Sequence, residues 1–200
     1  MMGSISLGVP GVSVARRTHL CAFYRGAAER DEILIPYLRE GMKAGERCVC
    51  VGDAADPDAI QAALGPEVAT DASGRQLDLL AAEDVYFPEG RFCPQEMLDF
   101  LNHSGMAALA DPGCPFTRLV GEMTWALREL PGVEELVGYE SEVNRLAPRY
   151  PWVLLCLYDL ERFSGELLVD ILKTHPRVLM FGAVLDNPYY QEPDEFLART

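Results

Sequence analysis

The sequence predicts an α/β domain with a mainly parallel central sheet, and three observations predict it. Apolar runs of strand length alternate with helical apolar stripes from residue 18 onward, the β-α-β-α order of a parallel sheet. One run, residues 152–158, is apolar on both faces, the pattern of a strand covered on each side by helices. A chain of 200 residues at 49% hydrophobic, with a mean hydropathy of +0.02, also carries enough apolar surface for one full core.

Residues 1–15 are small and unpatterned and read as a flexible lead-in to a single domain over residues 16–200. The first strand starts at Thr18, and its period of two puts His19, Cys21 and Phe23 on one face and Leu20, Ala22 and Tyr24 on the other. A helix over residues 29–42 carries Ile33, Leu34, Tyr37, Leu38 and Met42 on one stripe. Pro36 lacks an amide donor and is expected to kink or restart that helix, and Gly45 to end it. Residues 47–51 form a second strand closed by Gly52 and Asp53. Residues 57–64 form a helix with Asp56 as its cap and Pro57 in its first turn.

Residues 76–82 read as a third strand and 94–109 as a helix with Met97, Leu98 and Leu101 inward. Between them Tyr86, Phe87, Pro88 and Phe92 suit either a loop lying over a pocket or an aromatic-anchored connector. Residues 116–122 form a strand ending in Glu122, with Trp125 close behind. Residues 133–146 form an acidic helix with Leu136, Val137, Tyr139, Val143 and Leu146 apolar. Asp159 comes directly after the apolar strand at 152–158. A helix over 166–173 is closed by Thr174, His175 and Pro176, residues 177–181 give the last strand, and Asn187, Pro188, Tyr189 and Tyr190 begin an aromatic tail.

A formal net charge of −14 and a pI near 4.6 repel phosphates and anionic lipid, and no basic patch offsets them, so neither direct nucleic-acid binding nor membrane association is expected. The apolar runs fall short of the roughly 20 residues of a membrane span, and the N-terminus lacks a signal-peptide pattern, so a cytoplasmic protein with reduced thiols at its six cysteines is expected. The sequence holds no GxxxxGK[ST], no strand-linked GxGxxG, no GxSxG and no HExxH. His19 with Cys21, and Cys48 with Cys50, each place two possible ligands on one strand face, but a closed metal site needs about four. No catalytic residue, metal or cofactor is therefore expected.

The combination of His19, Cys21 and Tyr24, the run Tyr37-Leu38-Arg39-Glu40-Gly41-Met42 with Gly45-Glu46-Arg47-Cys48, then Leu157-Tyr158-Asp159, Thr174-His175-Pro176 and Asn187-Pro188-Tyr189-Tyr190 resembles the MEDS domain, the methanogen/methylotroph or DcmR-like sensory domain. The resemblance runs from about residue 18 to about residue 190. It implies a three-layer sandwich related to RecA/KaiC-type ATPase cores, and a cytoplasmic sensory module for simple hydrocarbon derivatives such as small halogenated or one-carbon compounds. Such modules occur with transcriptional regulators, kinase-type ATPase domains and anti-sigma circuits. The family's degenerate phosphate loop would fall at residues 24–31, where this chain has Arg25, Gly26, Glu29 and Asp31 and no Lys-Ser/Thr pair, so no functional P-loop is expected. With no DNA-binding or kinase segment after the domain, such a sensor is expected to signal through a regulatory protein partner of kinase, anti-sigma or transcription-factor type, with homo-oligomers also open.

Parallel sheets bind ligands outside the carboxyl ends of their strands, so Tyr24, Glu122, Tyr158 and Asp159 are expected to converge on one pocket. His19 and Cys21 line it or lie just behind it, Trp125 gives an apolar wall, and His175 a titratable rim, a set suited to a small organic ligand. Plainer roles stand beside these. The histidines are core residues with satisfied rings, Trp125 is core, and Glu122 and Asp159 cap the helices after their strands. The alternative functions are an interaction module with an acidic surface, and a small-molecule enzyme using His19, Cys21 or Glu122.

Overall fold

The computed structural model describes residues 3–53, 57–65, 76–111, 113 and 116–199; the expected Asp56 cap and Cys114 lie outside them. Within these residues a seven-stranded sheet forms from β3 (Thr18–Tyr24), β4 (Arg47–Val51), β5 (Leu77–Leu80), β6 (Thr117–Glu122), β7 (Trp152–Asp159), β8 (Arg177–Met180) and β9 (Ala183–Asp186), in the order β5-β4-β6-β7-β3-β8-β9. Every pairing is parallel except the β8–β9 hairpin. The central strands are buried on both faces, which is why β7 reads as an almost unbroken apolar run.

Two helical layers cover the sheet. On one face α1 (Gly26–Lys43) and α2 (Pro57–Leu64) pack on Leu20, Ala22, Cys50, Val120, Leu155 and Leu157. On the other, α4 (Pro94–Ala110), α5 (Leu136–Leu146) and α6 (Gly165–Thr174) pack on Cys21, Phe23, Val49, Leu119, Leu154 and Tyr158. The chain is thus an α/β domain with a mainly parallel sheet, as the sequence pattern predicts, in the three-layer sandwich that the family resemblance implies. A short α3 (Ala82–Tyr86) and a closing α7 (Pro193–Leu197) complete the α-helices among the described residues.

Three expectations change and one open alternative is decided. The lead-in at residues 1–15 contains an antiparallel hairpin, β1 (Ser4–Ser6) with β2 (Ser13–Ala15), whose Ile5, Leu7, Val12 and Val14 are buried against the α1 layer. Gly8 turns that hairpin at φ +81°, and a Cβ there would sit 2.1 Å from the Pro36 carbonyl oxygen, so the turn rests directly on α1. Second, α1 is one helix through Pro36, and it starts at Gly26, three positions before the predicted residue 29. Third, of the two readings left open for the segment holding Tyr86, Phe87 and Phe92, the structure gives the aromatic-anchored connector, packed around Trp125. Fourth, the chain reverses after β8 through Phe181 and Gly182, both at positive φ (51° and 72°), and adds β9 as an edge strand.

A buried cation fastens the hairpin and α1 to the sheet. Arg118 of β6 is ion-paired to Glu46 (Nε to Oε2, 2.6 Å), and its Nη1 donates to the carbonyls of Ser6 (2.9 Å) and Tyr37 (3.2 Å). Gly41 makes room for it, since a Cβ there would fall 2.5 Å from the Arg118 side chain. No helix among the described residues is long and apolar enough to cross a membrane.

Candidate functional site

The residues expected to converge on one pocket divide between the two faces of the sheet. The period of two that places Tyr24 opposite to His19 and Cys21 on β3 also separates Asp159 from Tyr158 on β7. Tyr24, Glu122 and Asp159 meet at the carboxyl ends of the strands on the α1 face. His19, Tyr158 and His175 meet inside the α5–α6 layer. A single pocket holding all of them does not form.

At the strand ends Glu122 is buried and saturated with donors. The Tyr24 hydroxyl donates to Oε1 (2.7 Å), the Thr124 hydroxyl to Oε2 (2.6 Å) and the Thr124 amide to Oε1 (3.2 Å). The last bond caps the 3-10 helix Met123–Arg128, the plainer role expected of this residue. Burial and the neighbouring Glu122 carboxylate push the Tyr24 hydroxyl far above its ordinary range, so it stays a proton donor. Asp159 accepts from the Glu161 amide (2.9 Å) and, more weakly, from the Gly26 amide (3.5 Å), while Glu29 accepts from the Arg25 amide (2.7 Å). A single residue, Arg25, separates β3 from α1. Two amides at this corner, those of Arg25 and Gly26, lie where a phosphate-binding fold would face the anion, and each meets one of these carboxylates.

Beside this cluster lies a cavity of about 290 Å³, lined among the described residues chiefly by Leu34, Cys50, Ile60, Leu79, Leu80 and Glu122. Gly52 and Asp53 edge it, and Asp53 is held by Arg128 and by the Ala82 amide (3.2 Å). Gly52 is required by space, because a Cβ there would lie 2.6 Å from the Glu122 side chain. Burial pushes the Cys50 thiol up to about 12, so it presents a neutral, soft wall. The cavity sits at the carboxyl ends of β4, β5 and β6, where parallel sheets place ligands.

The second cluster centres on Glu140, a fully buried carboxylate of α5. The Tyr158 hydroxyl donates to its Oε1 (2.6 Å). Its Oε2 faces His19 Nε2 (3.2 Å), His175 Nε2 (3.5 Å) and Cys156 Sγ (3.6 Å). Burial raises the Glu140 carboxyl, but the His19 hydrogen bond, the two rings and the Tyr158 hydroxyl outweigh it and hold the group below its usual range. Burial, with repulsion from His19, drives His175 down to about 3 and keeps it neutral. His175 is therefore a buried core residue and not a rim, although it does close α6 as expected.

Cys21 lies on the same face but turns its thiol toward the Arg177 carbonyl (4.0 Å), outside the cluster, and burial pushes its pKa up. Trp125 is wholly buried, stacked on Tyr86 at 4.2 Å between ring centres and flanked by Phe92 (5.0 Å) and Phe87 (5.3 Å); it is core and not a cavity wall. Glu140, Asn144 and Cys156 are the cluster members that the sequence-based set lacks. A signal existed for the first: Glu140 lies four residues after Leu136 and three before Val143, so the acidic helix carries a carboxylate on its inward stripe.

The fold is similar to that of a solved KaiC-like protein. A KaiC-like protein from the hyperthermophilic archaeon Pyrococcus horikoshii OT3 superposes with a TM-score of 0.61 at 11% sequence identity, covering 90% of this chain and 81% of that one. The chain belongs to the MEDS family, the methanogen/methylotroph DcmR sensory domain, whose family profile matches residues 18–176. It is also 34% identical over 173 residues to the transcriptional repressor DcmR of Methylorubrum extorquens, an alignment that covers 84% of this chain and 61% of that repressor. The chain thus spans about three-fifths of the length of this curated relative.

Proposed function

We propose that this chain is the sensory module of a cytoplasmic regulatory system, in which a small organic molecule occupies the strand-end cavity and alters the activity of a protein partner in transcriptional control. The cavity carries the reading. Its lining is mostly aliphatic, its volume of about 290 Å³ lies at the small end for ligand sites, and among the described lining residues the charged ones are Asp53 and Glu122. No lysine or arginine is among those residues, and the two carboxylates are already taken, Asp53 by Arg128 and Glu122 by Tyr24 and Thr124. This lining therefore offers no cation to a phosphate or carboxylate and suits a neutral, weakly polar compound of hydrocarbon origin. Membership of a family described as sensory, and similarity to a transcriptional repressor, support the regulatory context. The partner is of kinase, anti-sigma or transcription-factor type.

The same features argue against enzyme chemistry. Glu122 has its oxygens committed to Tyr24 and Thr124 and offers no free base. His19 and Cys21 are buried away from the cavity, on the other face of the sheet. Two amides at the β3–α1 corner, Arg25 and Gly26, are met by the Glu29 and Asp159 carboxylates, and that negative charge disfavours a nucleotide phosphate there.

A thermal-shift panel of small halogenated hydrocarbons, alcohols and amines tests the reading. A ligand at a hundred times its dissociation constant stabilises the fold by about 2.7 kcal/mol, a rise in Tm of roughly 5–10 °C for a chain of this size. An Ile60→Trp variant, which fills the cavity, is expected to abolish the rise. A panel inert up to millimolar concentrations, or a rise unaffected by Ile60→Trp, contradicts the proposal.

A further inference from the structure

We propose that His19, Glu140, Cys156 and His175 form a four-ligand binding site for a divalent transition metal ion of the zinc class. The residues come from β3, α5, β7 and the end of α6, and their ligand atoms all lie within 4.8 Å of one another. Among the closest separations, Glu140 Oε2 is 3.2 Å from His19 Nε2, 3.5 Å from His175 Nε2 and 3.6 Å from Cys156 Sγ, and His19 Nε2 is 3.4 Å from the same sulfur. A tetrahedral ion with nitrogen and oxygen ligands near 2.0 Å and sulfur near 2.3 Å requires ligand atoms roughly 3.3–3.8 Å apart. Four of the six separations already lie close to that range, and the two that join His175 to His19 and to Cys156 lie within 4.8 Å.

The atoms behind the ligands are arranged as a metal needs them. Asn144 commits its amide nitrogen to the carbonyls of Glu140 (3.2 Å), Ser141 (3.1 Å) and Thr174 (2.7 Å), which leaves its oxygen 3.2 Å from His19 Nδ1. That nitrogen must therefore carry a hydrogen and donate. His175 Nδ1 likewise donates to the Ile171 carbonyl at 2.9 Å. Both rings are fixed with Nδ1 protonated and Nε2 turned to the common centre, the orientation that outer hydrogen bonds impose on metal-bound histidines. The Tyr158 hydroxyl holds the remaining Glu140 oxygen in the same way.

Hydrogen bonding alone does not satisfy this centre. A proton on His19 Nε2 serves Glu140 but leaves His175 Nε2, which is buried and has no hydrogen-bond partner, presenting a lone pair toward a carboxylate oxygen. A cation placed among the four meets every lone pair at once. It binds as Cys156 loses its thiol proton to solvent, so the dication is balanced by one thiolate and one carboxylate and the buried site is neutral overall. Two imidazoles, a thiolate and a carboxylate select zinc, cobalt, iron or nickel over magnesium or calcium. With four protein ligands and no open position, the ion's role is structural, tying α5 and α6 to the two central strands. The site lies on the opposite face of the sheet from the strand-end cavity and stands independently of the sensory reading.

The full chain, stripped with a chelator and titrated with Co²⁺ and then Zn²⁺, tests the assignment. About one equivalent of metal per chain is expected, with a thiolate-to-cobalt charge-transfer band, intense tetrahedral d–d bands and a rise in Tm. Cys156→Ser, with folding checked by far-ultraviolet circular dichroism, should lose the charge-transfer band. His175→Gln should weaken Zn²⁺ binding by at least the roughly 10–100-fold typical of losing a supporting contact. Less than a tenth of an equivalent bound to the wild-type chain in excess Zn²⁺, or a cobalt spectrum unchanged in folded Cys156→Ser, overturns it.

Discussion

Single side chains in this protein take their roles from which face of the sheet they occupy. Tyr24 and His19 sit on one strand, yet the first anchors a carboxylate at the strand end and the second enters the buried cluster on the far side. Arg118 shows how much one group can hold: it joins β6 to Glu46 and to the carbonyls of Ser6 and Tyr37, and its guanidinium lies 4.9 Å from the Tyr37 ring centre. Removing one member of a buried ion pair leaves the other charge unpaired. Arg118→Met is therefore expected to destabilise the fold by about 3–5 kcal/mol in urea unfolding, and Arg118→Met with Glu46→Gln together by less than the sum of the two single changes. Additive losses would mean that the two groups do not act as a pair.

At the scale of elements, the strands and helices that obey simple periods are legible in the sequence, and those that depend on a turn are hidden. The β3, β4, β6 and β7 runs are legible because central strands of a parallel sheet must be apolar. The β1–β2 hairpin is hidden because its strands have only three residues each, and one inward side chain per strand makes no pattern. The β9 strand is hidden because its turn begins with Phe181 in a left-handed conformation, where asparagine or glycine is the usual signal. The site is half legible. His19, Tyr24, Glu122, Asp159 and His175 all lie in or beside one of the two clusters, but their division between faces requires the strand order, and Glu140 reaches His19 only through the packing of α5. Gly132 illustrates a turn that packing demands. It lies at φ +91°, and a Cβ there would be 1.9 Å from the Phe92 carbonyl oxygen, beneath the aromatic group around Trp125. Gly132→Ala is expected to cost about 1–3 kcal/mol in thermal or urea unfolding; a variant as stable as the wild type would show that the turn relaxes without strain.

The whole molecule has a sheet similar to that of a KaiC-like protein; at its β3–α1 corner the Arg25 and Gly26 amides meet the chain's own carboxylates, and a ligand-sized apolar cavity lies under α1 and α2. The opposite layer is organised around a buried polar cluster on the far side of the sheet from that cavity, so one sheet separates the proposed recognition site from the proposed metal site. The most direct measurement of the central claim is a methyl NMR titration with the compound that gives the largest thermal shift. The account predicts saturable shifts at the methyls of Leu34, Ile60, Leu79 and Leu80, with those of Val143 and Ile171 in the opposite layer unchanged. Shifts centred on Val143 and Ile171, or none at saturating ligand, would contradict it.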